Sequence, residues 1–162
     1  MPKSFPALDA LDLAILARYQ QDTRIAAQDI GDAIGLSAAA VQRRLKRMRE
    51  TGVIEAEVAR VAPGAVGYPI TCIVSVDLDR EAIADMDRFK DRVCRFAQVQ
   101  QCYYVTGQID FILIVLARDM ADYDAFTRDA LLGDPNVRSF TTHVALDRVR
   151  VGLSTPIEPE PR

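Results

Sequence analysis

The sequence predicts an α+β protein in which an N-terminal winged helix-turn-helix domain precedes a C-terminal ferredoxin-like βαββαβ domain. In the N-terminal part, apolar residues recur at helical spacing, and Gly35 and Gly52 stand where helices are expected to end. From Tyr68 onward, short apolar strands alternate with amphipathic helices in the order β-α-β-β-α-β. The chain of 162 residues is 49% apolar and 27% charged, which is typical of a globular protein.

The composition argues against a membrane protein and against a secreted disulfide-rich protein. The longest apolar run, Phe111 to Ala117, is far shorter than the ~18 residues that span a bilayer. The N-terminus shows no signal-peptide core, and three widely spaced cysteines do not make a disulfide framework. We therefore expect a cytoplasmic protein with no membrane partner.

The net charge of −3 is unevenly divided. Residues 1–62 hold nine Lys/Arg and eight Asp/Glu, whereas residues 63–162 hold eleven and fifteen. Because a nucleic-acid footprint depends on where cations cluster, only the N-terminal part is a candidate for contact with DNA.

Three helices are expected in the N-terminal domain. The first starts at Asp9 or Asp12 and fades over residues 19–22, and the second spans about 27–34. Gly35 ends the second helix, since the turn between two packed helices often needs positive φ.

The third helix has an N-cap at Ser37 and is closed by Gly52. Val41, Leu45 and Met48 follow one another at i, i+4 and i+7, so they are predicted to face the core. The segment 53–61 is β-branched and partly alternating, which favours a short strand or wing, and the domain boundary is placed near residue 65.

The outer face of the third helix is cationic. In a helix-turn-helix, the helix after the turn enters the major groove, so this face is predicted to bind double-stranded DNA. Arg43 could hydrogen-bond to guanine O6 and N7, and Gln42 to adenine N6 and N7. Ala39 or Ala40 could contact a thymine methyl group. The other cations are expected to grip phosphates. The predicted DNA-binding set is Ser37, Ala39, Ala40, Gln42, Arg43, Arg44, Lys46 and Arg47. The alternative is ordinary solvated surface charge.

The C-terminal domain, residues 66–153, is expected to contain strands at 70–78, 99–106, 111–117 and 137–146. The first and third strands are the most apolar and are predicted to lie at the centre of the sheet. One helix over 80–97 is expected to bury Ile83, Met86, Val93 and Phe96, and another spans 120–132. Val149, Val151 and Leu153 are expected to add an outer strand before a mobile tail, residues 154–162.

Enzymatic chemistry has little support in the sequence. The one histidine, His143, lies on a predicted strand, where a lone histidine is more often structural. The chain has no P-loop, no dinucleotide-binding turn and no pair of histidines at metal-ligand spacing. We therefore expect no enzyme activity, no metal and no cofactor.

The segment GLSAAAVQRRLKRM, followed by TGVI and by a downstream TGQID before an apolar strand, resembles the Lrp/AsnC, or feast/famine, transcriptional regulators. The resemblance covers nearly the whole chain. It implies dimers that form through the C-terminal sheets, further assembly into tetramers or octamers, and regulation by an amino acid or a related metabolite.

The same resemblance implies an effector site at the loop between the second and third strands. The residues carried over are Tyr103, Tyr104, Thr106, Gly107, Gln108, Ile109 and Asp110, with Thr141 and Thr142 as weaker candidates. Asp110 can accept a ligand ammonium, and Gly107 lets a backbone amide approach a carboxylate. The alternative for Gly107 and Asp110 is a plain β-turn.

The predicted function is a sequence-specific, ligand-responsive transcriptional regulator. The alternative is a metabolite-binding module or a small enzyme of the same architecture that does not bind specific DNA.

Overall fold

A computed structural model describes residues 5–80 and 82–157, which form two compact units. The first unit contains the described residues up to Ala59 and those from Arg150 onward, and the second is Arg60–Val149. Each unit has an apolar core of its own.

The first unit contains the three expected helices, α1 (Ala10–Tyr19), α2 (Ala27–Ile34) and α3 (Ala38–Glu50). The side chain of Asp9 caps α1, and that of Ser37 caps α3. Gly35 ends α2 in the left-handed conformation, with φ of 76°. The inward faces of the helices share a core of Ile15, Tyr19, Ile30, Ile34, Val41, Leu45 and Met48.

The turn between α2 and α3 approaches α2 very closely at Gly31. The amide of Leu36 donates a 2.9 Å hydrogen bond to the carbonyl oxygen of Gly31. A methyl carbon added at Gly31 would overlap the carbonyl oxygen of Leu36, so only glycine fits without movement of the backbone. This contact sets how α3 leaves the turn.

The second unit is a four-stranded antiparallel sheet with helices on one face. The elements are β1 (Ile70–Leu78), α4 (Ile83–Val93), β2 (Val99–Tyr104), β3 (Phe111–Ala117), α5 (Met120–Thr127) and β4 (Val137–Val144). A π-helical turn, Arg128–Leu132, continues α5, and a short 3-10 helix, Pro63–Val66, precedes β1. The strand order is β2-β3-β1-β4, so the prediction that the first and third strands are central is confirmed.

The predicted helix over 80–97 is too long at both ends, and its buried face was partly wrong. Ile83 is 81% exposed, whereas Phe89, which the sequence analysis did not select, is fully buried and stacks against Phe111. Met86 and Val93 are buried as expected, and Phe96 is partly buried against the core.

Two predicted strands are absent from the described part of the chain. Residues 53–61 are irregular, with Val58 74% exposed, and the predicted outer strand at 149–153 is also irregular, with Val149 89% exposed. Neither segment has a neighbouring strand to pair with, and an unpaired strand is not stable in water.

The start of the predicted mobile tail is anchored to the first unit. The Gln20 side chain donates a 2.9 Å hydrogen bond to the Thr155 carbonyl and accepts a 3.0 Å bond from its amide. The rest of the predicted tail, residues 158–162, lies outside the described residues.

The two faces of the sheet differ in their contacts. One face packs under α4 and α5 and supplies the core residues Val74, Val76, Leu113 and Val115. Within Arg60–Val149, the opposite face is not covered by a helix. It carries the half-buried or exposed side chains of Ile73, Ser75, Tyr103, Ile112, Ile114, Leu116, Thr141 and His143.

Candidate functional site

The outer face of α3 is open to solvent. Gln42, Arg43, Lys46 and Arg47 are exposed, and Ala39 lies on the same side, close to the start of the helix. The Ser37 hydroxyl accepts a 3.2 Å hydrogen bond from the Ala40 amide, so Ser37 fixes the first turn of α3. The inward residues of α3 are fully or almost fully buried. The helix therefore presents its polar face from a fixed position in the domain.

Two of the predicted phosphate contacts are engaged within the domain. The Arg44 guanidinium donates 2.7 Å hydrogen bonds to Asp9 Oδ2 and Asp12 Oδ1, and Arg47 also binds the Asp12 carboxylate. The Asp12 side chain is only 1% exposed, and that of Arg44 is 23% exposed. Arg44 thus differs from the prediction, because its guanidinium joins α3 to the start of α1 and is not presented to solvent.

The carboxylates of Asp9 and Asp12, at the start of α1, both cap the helix and form ion pairs with arginines. Asp9 accepts from the Asp12 amide, and Asp12 accepts from the Asp9 amide, which completes a capping box. The hydrogen bond from Arg44 is the main reason that the pKa of Asp9 lies below its ordinary value. The charged form of Asp9 is therefore favoured.

A second network, which the sequence analysis missed, joins the end of α3 to the chain beyond it. Glu57 accepts 2.7 Å hydrogen bonds from the Tyr19 hydroxyl and from Arg49 Nε. Arg49 also donates to the Tyr19 hydroxyl at 2.7 Å and lies over the Tyr19 ring. The hydrogen bonds from Tyr19 and Arg49 lower the pKa of Glu57. The one indication of this network in the sequence is that Arg49 lies next to the inward-facing residues Val41, Leu45 and Met48 of α3.

The loop between β2 and β3 is a tight structure that includes Asp110. The Val105 amide donates to the Asp110 carbonyl at 2.8 Å, and the Asp110 amide donates to the Val76 carbonyl at 3.0 Å. Asp110 Oδ2 accepts a 2.7 Å hydrogen bond from the Leu78 amide. Asp110 therefore ties the loop to the end of β1, and this role accounts for one of its carboxylate oxygens.

A shallow open concavity of about 400 Å³ lies at this loop. Gly107 adopts φ of 132°, a value that strongly favours glycine. The residues that line the concavity are Tyr104, Val105, Thr106, Gly107, Ile109 and Asp110. Five of the nine predicted effector residues thus lie together.

The other four predicted effector residues are not among those lining the concavity. Tyr103 and Tyr104 alternate along β2, so Tyr103 lies on the uncovered face of the sheet while Tyr104 stacks on Phe111. Thr141 lies on the uncovered face, but Thr142 points to the helices and hydrogen-bonds the hydroxyl of the buried Tyr123. Gln108 is exposed at the tip of the loop.

In residues 5–80 and 82–157, no three His, Cys, Asp or Glu side chains are grouped so that they could hold a metal ion. No helix in those ranges is long and apolar enough to cross a membrane.

Comparison with known proteins assigns both halves of the chain. Residues 8–49 match the AsnC-type helix-turn-helix domain, and residues 71–152 match the Lrp/AsnC ligand binding domain. The chain belongs to the Lrp/AsnC family. It is therefore related to HTH-type transcriptional regulators, and the predicted resemblance and α+β fold class are confirmed.

Similar members of the Lrp/AsnC family align over nearly the whole chain. The HTH-type transcriptional regulator y4tD of Sinorhizobium fredii is 46% identical over 93% of this chain and 89% of its own length. An AsnC family regulator from Agrobacterium tumefaciens has a TM-score of 0.85 at 31% identity, covering 92% of this chain and 97% of that structure. A Neisseria meningitidis transcriptional regulator solved with L-Met has a TM-score of 0.84 at 25% identity, covering 93% and 97%.

Proposed function

We propose that this Lrp/AsnC chain binds specific DNA through the outer face of α3, and that an amino acid or a related metabolite bound at the β2–β3 loop regulates it. The observation that carries the DNA proposal is the solvent-exposed strip of Gln42, Arg43 and Lys46 on a helix with a buried inner face. The proposed role is regulatory and not enzymatic, and the proposed location is the cytoplasm.

The exposed residues of α3 divide by chemistry into base and phosphate contacts. Arg43 has the bidentate donors that suit guanine O6 and N7, and the Gln42 amide suits adenine. Ala39 and Ala40 are small enough to allow close approach to a thymine methyl group. Lys46 and the exposed part of Arg47 are the phosphate contacts. Ser37 and Arg44 hold α3 in position.

The effector proposal rests on the concavity at the β2–β3 loop. Gly107 has no side chain and open space above its Cα, so a ligand carboxylate can approach the loop backbone there. Tyr104, Thr106 and Ile109 supply mixed polar and apolar walls, and Asp110 has a second carboxylate oxygen for an ammonium group. Similarity to a regulator solved with L-Met supports an amino acid as the ligand class.

The uncovered face of the sheet supports self-association. Ile73, Ile112, Ile114 and Leu116 lie side by side on the central strands β1 and β3, where a monomer would leave them facing water. A second copy of the same face would cover these apolar side chains, so we propose a homodimer that forms through this sheet about a two-fold axis. Tetramers or octamers would then build on the dimer.

DNA binding is tested by fluorescence anisotropy with the region upstream of the gene and a shuffled duplex of equal length. Arg43→Ala is expected to weaken binding to the upstream DNA by about 1–3 kcal/mol and to leave binding to the shuffled duplex nearly unchanged. Arg128→Ala removes an exposed arginine of the second unit and is the matched control. Equal affinity of the wild type for both duplexes would overturn base reading by α3.

The effector proposal has a separate test. The melting temperature of the full chain is measured with each of the twenty amino acids, because a ligand that binds only the native state stabilises it. At least one amino acid is expected to raise the melting temperature, and Thr106→Ala is expected to reduce the shift. If no amino acid stabilises the wild type, the proposed ligand class is wrong, whatever the DNA result.

A further inference from the structure

Two cysteines lie on adjacent elements of the second unit. Cys94 is the C-cap of α4 and is exposed, whereas Cys102 is half-buried on the side of β2 that faces the core. The remaining cysteine, Cys72, is fully buried in β1.

The register of α4 over β2 places these two thiols together. Both β1 and β2 run antiparallel to β3, so they are parallel to each other and α4, which connects them, must run in the opposite direction. The Lys90 ammonium lies 5.4 Å from the centre of the Tyr104 ring. Along α4, the four residues from Lys90 to Cys94 advance about 6 Å. Along β2, which runs the other way, the two residues from Tyr104 back to Cys102 cover about 6.6 Å. Cys94 therefore lies beside Cys102, as Lys90 lies beside Tyr104.

The electrostatics of Cys102 agree with this register. Burial is the largest cause that raises the pKa of Cys102, to about 11, and the neighbouring Cys94 adds to the effect. Cys102 therefore stays protonated near neutral pH, and the exposed Cys94 is the thiol that an oxidant in solution reaches first.

We propose that Cys94 and Cys102 are a dithiol that hydrogen peroxide converts into a reversible intramolecular disulfide. The Cys94 thiolate attacks one peroxide oxygen and becomes a sulfenic acid, and the O–O bond breaks to release water after protonation. The sulfur of Cys102 then attacks the sulfenic sulfur, gives up its proton, and displaces the hydroxyl group as a second water. In total, two thiols and one peroxide give one disulfide and two waters.

The disulfide is tested on the reduced full chain. The chain is treated with a small excess of hydrogen peroxide, unfolded in the presence of an alkylating reagent, and analysed by intact mass and peptide mapping. The expected product contains a Cys94–Cys102 cross-linked peptide and one alkylated thiol at Cys72, and dithiothreitol adds back the two hydrogen atoms that were lost on oxidation.

Cysteine variants separate this reaction from general oxidation. Cys72→Ala is expected to form the bond like the wild type, while Cys94→Ser and Cys102→Ser are not, and circular dichroism checks that each variant is folded. Sulfinic acid at Cys94 with Cys102 still free, or a covalent dimer through Cys94, would overturn the proposal. DNA and amino-acid binding take no part in this readout.

Discussion

Replacing Gly31 with alanine tests the close contact in the helix-turn-helix. In a helix, alanine is favoured over glycine by about 1 kcal/mol, so helix propensity alone predicts a more stable protein. The structure predicts the opposite. The added methyl carbon would overlap the Leu36 carbonyl oxygen and lie 3.3 Å from the carbonyl carbon, inside the roughly 3.5–4.0 Å that non-bonded heavy atoms prefer.

The expected loss of stability is the sum of two costs, less the gain in helix propensity. Overpacking of this kind costs about 1–3 kcal/mol, and weakening the hydrogen bond from the Leu36 amide to Gly31 costs about 1 kcal/mol more. After subtracting the gain in helix propensity, Gly31→Ala is expected to lower the free energy of unfolding by about 2 kcal/mol. The melting temperature should fall by roughly 4–8 °C.

Urea and thermal unfolding, followed by circular dichroism, measure this change. Gly64→Ala is the matched control, because a methyl group there meets no atom within 4 Å and the φ of Gly64 is not positive. A stability of Gly31→Ala equal to or above that of the wild type would refute the argument, since propensity would then outweigh the contact with Leu36.

Three further changes test other parts of the structure. Lys46→Ala is expected to weaken binding to all duplexes alike and to reduce the slope of log K against log salt by about 1, whereas Lys90→Ala in the second unit leaves the slope unchanged. Hydrogen bonds hold the pKa of Glu57 below its ordinary 4.5, so its carboxylate stabilises the fold above that pH and loses this effect as the pH falls through the lower folded-state value. Glu57→Gln should therefore lower the free energy of unfolding by about 0.5 kcal/mol at pH 7. Urea titrations should show a smaller difference between the variant and the wild type in acid. Tyr123→Phe is expected to cost about 1 kcal/mol by removing the hydrogen bond to Thr142 without changing stabilisation by an amino acid; a lost ligand response would place Thr142 in the effector site after all.

The sequence predicted the helices of the first unit well because their signals are local. The capping residues Asp9 and Ser37 and the i, i+4, i+7 spacing of Val41, Leu45 and Met48 all act within one or two turns. The central position of β1 and β3 was predictable for a similar reason, because strands with neighbours on both sides are the most apolar.

The errors concern features that depend on distant residues. Periodicity identifies the apolar face of α4 but not where the sheet beneath it ends, so Ile83 was predicted to be buried although it is exposed at the first turn. The ion pairs from Arg44 to Asp9 and Asp12 join residues more than 30 positions apart, and no spacing rule connects them. The opposite directions of Thr141 and Thr142 could have been read from strand alternation.

The internal ion pairs of α3 affect how the protein searches for its target. Of the five cations on this helix, Arg44, Arg47 and Arg49 bind carboxylates of the same domain, and Lys46 lies 3.8 Å from Glu50. Arg44 is held to the buried Asp12 carboxylate, so nonspecific attraction to duplex DNA depends mainly on the exposed cations Arg43, Lys46 and Arg47. We therefore expect the affinity for arbitrary DNA to be lower than five unpaired cations on this helix would give.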